Sequence, residues 1–147
     1  MKVVQLASLT FKKLEELLEQ EIAIIRALDH PNVIRCVEVL KSANHCYFIT
    51  ELCDGGSLEK TLRERGPLPE EELWPYASQL FQGLKYLSGR NIVHRDIKPA
   101  NVFIKEGQLK IADFGFAIHA RYYKTDTVKP SLISALALHS TCPPKDS

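Results

Sequence analysis

Between residues 9 and 28 the apolar residues recur at helical spacing. Leu14, Leu18, Ile25 and Leu28 fall on one stripe, which Leu17, Ile22 and Ile24 widen. Glu21 sits on the same stripe, seven residues from both Leu14 and Leu28. A carboxylate on a face meant for burial calls for a cationic partner or access to solvent. Ahead of this helix, residues 2–7 are β-prone and short, which predicts a strand. After it, His30-Pro31-Asn32 marks the end, because proline restricts the residue before it. Residues 33–40 and 46–52 then read as two strands joined by a turn at Ser42-Ala43-Asn44.

Asp54-Gly55-Gly56-Ser57 follows as a flexible turn whose glycines let the chain pass close to a ligand. The pattern predicts a short helix over 58–65, broken by Gly66-Pro67-Leu68-Pro69. Residues 70–88 form the longest helix candidate, opened by Glu70-Glu71-Glu72, which complement the dipole at a helix N-terminus. Tyr76, Ala77, Leu80, Leu84 and Leu87 supply its buried face. Pro75 in a helix interior removes a hydrogen bond at a cost of roughly 3 kcal/mol, which predicts a kink or a start nearer Trp74. Val102-Phe103-Ile104 and Leu109-Lys110-Ile111 flank Lys105-Glu106-Gly107-Gln108 as a β-hairpin.

With 147 residues the chain is long enough for one ordinary domain. Hydrophobic residues make up 45% and charged residues 25%, as in globular proteins that do not span membranes. Nineteen Lys+Arg against 18 Asp+Glu leave a net charge of +1, which gives no electrostatic case for a nucleic-acid or membrane partner. No run of 18 apolar residues predicts a membrane span. Cys36, Cys46, Cys53 and Cys142 show no metal-ligand spacing and read as reduced thiols of a cytoplasmic or nuclear protein.

The chemistry concentrates in His94-Arg95-Asp96-Ile97-Lys98-Pro99-Ala100-Asn101, followed by Asp113-Phe114-Gly115. Apolar runs on both sides predict a loop held between buried strands, able to aim its polar groups at one point. The set suits phosphoryl transfer. Asp96 can accept a hydroxyl proton, Lys98 can neutralise charge on the transferred group, and Asn101 can ligate Mg2+. Asp113, 17 positions after Asp96, supplies the carboxylate that holds the metal on nucleotide phosphates.

These residues resemble the catalytic loop and metal-binding Asp-Phe-Gly of eukaryotic protein kinases, matching H-R-D-x-K-x-x-N at every fixed position. Lys98 is the variant associated with serine/threonine kinases. The resemblance implies an α+β, two-lobed kinase fold that uses ATP and Mg2+ and acts on the serine or threonine of a protein substrate. It covers residues 2 to about 119. It also implies an ion pair between Lys2 and Glu21, 19 residues apart, that clamps the phosphates; the alternative is that Glu21 is one more solvated acid. Thr50 takes the gatekeeper position, the Glu51 carbonyl and Cys53 amide are the hinge groups for adenine, and Phe103 is the floor beneath it. Ser57 joins the nucleotide-binding set where the hinge gives way to the large lobe. His94 and Phe114 are expected to pack with Ile25 and Cys36.

The expected organisation is a partial small lobe over 1–53, a partial large lobe over 54–119 and a divergent, poorly ordered tail over 120–147. Phe116-Ala117 is weakly similar to the autophagy-initiating kinases. No glycine-rich loop precedes Lys2 and no Ala-Pro-Glu motif follows Asp113, so the resemblance implies a kinase truncated at both ends. Turnover is then expected far below that of a complete kinase, or absent. The alternative is a non-catalytic fragment that binds regulatory partners through apolar surface exposed on the 70–88 helix. Thr125 and Thr127 are candidate phosphosites, and 132–138 is a candidate short helix covering that surface.

Overall fold

The structure, a computed structural model, describes residues 1–6 and 12–120, apart from the side chains of 12–14. The expectations for Leu14, Thr125, Thr127, the run at 132–138 and Cys142 lie outside those described positions.

β1 (Lys2–Gln5), β2 (Cys36–Lys41) and β3 (His45–Thr50) form an antiparallel sheet in the order β1-β3-β2. β3 is central because its alternate residues Cys46 and Phe48 are both buried, and its aromatic and β-branched residues suit a pleated surface. Lys2 stands opposite Phe48 in the β1–β3 register. The β2–β3 hairpin turns at 42–44, where the Ser42 amide donates to the His45 carbonyl at 2.8 Å. Both strands are shorter than their apolar runs: Val33 makes an isolated parallel bridge to Ile111, and Leu52 is 83% exposed.

α1 (Lys12–Arg26) carries Leu18, Ile22, Ile24 and Ile25 into the core, continued by Leu28 in the turn beyond it. Leu17 departs from the expected stripe and is 41% exposed, lying beyond the edge of the buried face. Glu21 is buried, as its position on the stripe required.

A second sheet, β4-β6-β7, comprises β4 (Gly56–Ser57), β6 (Val102–Lys105) and β7 (Gln108–Ile111). β6 and β7 are joined by Glu106-Gly107, both with positive φ, the conformation that a tight two-residue hairpin requires. α2 (Leu58–Arg65) is capped by the Ser57 hydroxyl, which accepts the Lys60 amide. α3 (Glu70–Gly89) starts at Glu70 and runs through Pro75 instead of starting near Trp74. Pro75 lies in the second turn, where the only intrahelical bond it forfeits is one to the first residues. The Glu72 and Leu73 amides bond the Pro69 carbonyl and hold that end without it.

The layers meet along β7. The Ile111 amide donates to the Asn32 carbonyl, and the Ile34 amide donates to Ile111 in return. The buried Asn32 amide group donates to the Leu109 carbonyl and to Gln79 of α3, whose side chain also accepts the Leu109 amide. Gly83 of α3 permits this contact: a Cβ there would lie 2.7 Å from Ile111 Cδ1 and 3.0 Å from the Asn32 carbonyl oxygen.

A two-stranded ribbon, β5 (Ile92–Val93) with β8 (Ile118–His119), ties together the chain entering the 94–101 loop and the chain leaving 113–115. The Ala120 amide closes it on the Asn91 carbonyl at 2.7 Å. Inside it, His94 and Phe114 are buried edge to face with ring centroids 4.9 Å apart. Phe114 shares its buried cluster with Ile25, with the partly buried Cys36 packed against it, and His94 joins through its contact with Phe114. His94 Nε2 donates to the Ala112 carbonyl at 2.9 Å while Nδ1 accepts the Asp96 amide, an arrangement that needs the neutral ring. Burial pushes the His94 pKa below its ordinary 6.5, against the Ala112 hydrogen bond and the nearby Asp113 and Asp96 charges.

Two outcomes follow for stability. Gly83→Leu overpacks the α3–β7 contact and costs about 1–3 kcal/mol, whereas Gly89→Ala, with nothing within 4 Å, changes stability by no more than about 1 kcal/mol; urea midpoints measure both. His94 binds its proton more readily unfolded than folded, so its contribution is complete above 6.5 and is lost as pH falls from there toward the folded pKa. Thermal midpoints should therefore decline on acidification from pH 7 to 5, and His94→Leu should flatten that slope.

Candidate active site

A cleft of about 560 Å³ opens between the first sheet and the β6–β7 hairpin. That volume is within the usual range for a small-molecule site. Lys2, Glu21 and Asp113 line one end, Thr50, Glu51 and Cys53 line another part of the wall, and Phe103 and Asn101 complete the predicted set within it. Asp96, Lys98 and Ser57 lie outside this lining.

At the charged end, Lys2 Nζ sits 2.8 Å from Glu21 Oε1 and 2.9 Å from Asp113 Oδ1. β1 delivers the ammonium, α1 the buried carboxylate, and the turn after β7 the second carboxylate. Burial alone would lower the Lys2 pKa, but the bonds to Glu21 and Asp113 outweigh it and the pKa is raised. For Asp113, burial is likewise outweighed by the Lys2 bond and charge, leaving a lowered pKa. Lys2 and Asp113 are thus both charged at neutral pH. Asp113 holds φ +61°, a left-handed conformation costly for a residue with a Cβ. Gly115 keeps the space beside the pair open: a Cβ there would lie 3.2 Å from Lys2 Nζ.

The 94–101 loop aims a second group of polar side chains. Asp96 Oδ2 accepts Lys98 Nζ at 2.8 Å and Asn101 Nδ2 at 2.8 Å, and Asn101 Nδ2 also reaches the Asp96 carbonyl. The Lys98 hydrogen bond is the largest influence on Asp96 and lowers its pKa. Arg95, at φ +69°, turns the chain so that its guanidinium donates to the Phe116 carbonyl at 2.5 Å. A short 3-10 turn (Pro99–Asn101) leads into β6, and the Ala112 amide bonds the Asn101 carbonyl at 2.9 Å. That bond places Asn101 beside the residue preceding Asp113.

Two expectations about the 50s change in character. The close approach at Gly55 is to the chain itself, since a Cβ there would sit 2.8 Å from Ile104 Cβ. The Ser57 hydroxyl is occupied as the α2 cap. Outside the strand pairs, the backbone bonds of this segment run from the Glu51 N–H to the Arg35 carbonyl, from the Gly55 N–H to the Ile104 carbonyl and from the Gly56 N–H to the Cys53 carbonyl. None of these uses the Glu51 carbonyl or the Cys53 amide.

Sequence reasoning missed the Glu51 side chain, which pairs with Lys105 and Lys110. The available signal was Lys110 itself, a lysine between two core residues of a strand buried from Leu109 to Ile111.

The residues present fit a magnesium nucleotide. An ammonium held between two carboxylates, with open space at Gly115, suits phosphates, and oxygen donors at Asn101 and Asp113 suit a hard divalent cation. Among the described residues no cluster of three or more His, Cys, Asp or Glu forms a ready-made metal cage.

A family description of the protein kinase domain matches residues 1–133. The chain is 42% identical over 110 residues to the serine/threonine-protein kinase ATG1c of Arabidopsis thaliana, covering 72% of this chain and 15% of that protein. It is 44% identical over 103 residues to a calcium/calmodulin-dependent protein kinase kinase of Caenorhabditis elegans, covering 68% and 19%. With the CBL-interacting serine/threonine-protein kinase 9 of Arabidopsis thaliana it shares 34% over 131 residues, covering 88% and 27%. The chain therefore spans 15–27% of the length of these relatives. Likeness of sequence and the convergence of Lys2, Glu21 and Asp113 agree: this chain belongs to the protein kinase domain family.

Proposed function

We propose that this chain is a serine/threonine protein kinase domain that transfers the γ-phosphoryl group of ATP to a protein hydroxyl. The observation that carries this reading is the Lys2 ammonium shared by Glu21 and Asp113 at the end of an otherwise largely apolar-walled cleft. The two-lobe division at residue 53 belongs to the same reading, with Thr50, the Glu51 carbonyl and the Cys53 amide at the base end and Phe103 beneath. Ser57, next to that end, is assigned to the nucleotide through its position alone.

Magnesium ATP, when bound, supplies the electrophilic phosphorus and the charge neutralisation around it. The chain's own groups do the rest. Lys2, fixed by Glu21, holds phosphate oxygens. Both contacts of the Asp113 carboxylate fall on Oδ1, which leaves Oδ2 for the cation. Asn101 spends its amide nitrogen on Asp96, so its carbonyl oxygen remains for the same task. Asp96, kept ionised by Lys98 and Asn101, accepts the hydrogen bond of the incoming hydroxyl and orients it. A loose transition state asks little base strength, so a lowered pKa at Asp96 is compatible with this role. Lys98 can pass from Asp96 to the transferred phosphoryl group as charge develops there.

A second reading, protein binding without catalysis, is supported by Leu73, Trp74 and Phe81 of α3, which are 52%, 67% and 71% exposed. Regulatory partners of this domain would use that surface. A cytoplasmic location is also proposed, supported by the free thiols of Cys36, Cys46 and Cys53. No described helix is long and apolar enough to cross a membrane.

Transfer of label from γ-labelled ATP to a serine- and threonine-rich acceptor protein tests the first reading. Asp96→Asn should reduce turnover about a hundredfold or more while leaving the fold intact. Equal rates for the native chain and this variant would count against catalysis at Asp96. No transfer by the native chain, with partner binding retained in Asp96→Asn, would favour the second reading.

A further inference from the structure

Glu51 enters the functional reading only through its backbone, yet its side chain is 11% exposed and takes three donors. Oε1 accepts the Arg35 amide at 2.9 Å and Lys110 Nζ at 3.1 Å, while Oε2 accepts Lys105 Nζ at 2.9 Å. The Lys110 side chain is 10% exposed, so this arm of the cluster is a buried ion pair. Lys110 stands opposite Phe103 in the β6–β7 register and Lys105 lies two residues along from it. Residues paired across a hairpin, and residues two apart on one strand, share a face. Both lysines therefore rise from the same face of the hairpin as Phe103.

The 51–53 segment and Phe103 line the same cleft but come from elements 50 residues apart. Leu52, between the two proposed base-recognising backbone groups, is 83% exposed and packs against little that would set its height. A buried pair adds little net stability, because desolvation offsets most of the attraction. What it does fix is distance, since one carboxylate must meet two lysine heads and a backbone amide at once.

We propose that the Glu51 carboxylate is a positioning residue for nucleotide recognition: bridged to Lys105 and Lys110, it sets the spacing between the 51–53 backbone and Phe103. The proposal rests on the nucleotide reading above and adds to it a part of the chain that touches no nucleotide atom. Removing the bridge lets the two walls drift, and ordering them again on binding weakens affinity.

The test titrates the full chain with adenosine and with Mg-ATP by calorimetry. Glu51→Gln keeps the shape and loses the charge, and should weaken adenosine about tenfold, with the same factor for Mg-ATP because the defect lies at the base end. Lys110→Arg retains the bridge and should bind as the native chain does. Glu51→Gln leaves a buried ammonium unpaired, so a second variant removes both charges together. E51L/K110L should keep a native-like unfolding midpoint and show the same tenfold loss. Native affinity in E51L/K110L would mean that the cluster only fills space, and would overturn the proposal. If the native chain bound neither probe, the nucleotide reading itself would fall and this inference with it; native binding with unchanged variants would sink the inference alone.

Discussion

The candidate site depends on a single ammonium. Glu21 is 7% exposed on the inner face of α1, a position where an unpaired carboxylate would be costly. Lys2 makes it tolerable, and by turning also toward Asp113 it draws together three elements from opposite ends of the described chain. Exposed ion pairs contribute little, and Lys2 and Asp113 are both about 40% exposed in their side chains. The value of the arrangement is therefore geometric. It keeps positive charge at a defined place beside the strained turn at Asp113 and the gap left by Gly115.

The apolar structure behind this end holds the other catalytic candidates in register with it. β7 is bonded on its outer edge to Asn32 and Ile34, and α3 reaches it through Gln79 and the close approach at Gly83. The β5–β8 ribbon then fixes both ends of the segment that runs from the Asp96 loop to Gly115. His94 joins these layers as a neutral ring, donating to Ala112 and accepting from Asp96, so the loop is registered from within the core. Backbone strain at Arg95 and Asp113 is held by this rigid surround.

Much of this was legible in the sequence because the relevant signals are local. The period of α1 placed Glu21 on a buried face, and the Glu106-Gly107 pair between two apolar runs located the hairpin. The 94–101 and 113–115 motifs named the polar groups through their order alone. What escaped was set by local bonding that the pattern does not show or by contacts distant in sequence. Leu17 fits the helical stripe but is 41% exposed, while Leu18 and Glu21 are buried. Pro75 carries a penalty only where a bond is lost, and the first turn of α3 is held from Pro69. The two-residue strand at Ile118–His119 has no periodicity to read and exists because Ile92–Val93 pairs with it. Glu51 looked like a hinge residue known by its backbone, while the two lysines that pair with its side chain lie over fifty residues away.

The central claim is that Lys2, Glu21 and Asp113 form the phosphate and metal end of a nucleotide cleft. Thermal unfolding of the chain with ATP, with and without Mg2+, tests it most directly, set beside Asp113→Ala. A ligand that binds only the folded state raises the midpoint by mass action. The account predicts a rise that requires magnesium and is lost in Asp113→Ala. A midpoint indifferent to magnesium ATP, or an equal rise in Asp113→Ala, would contradict it.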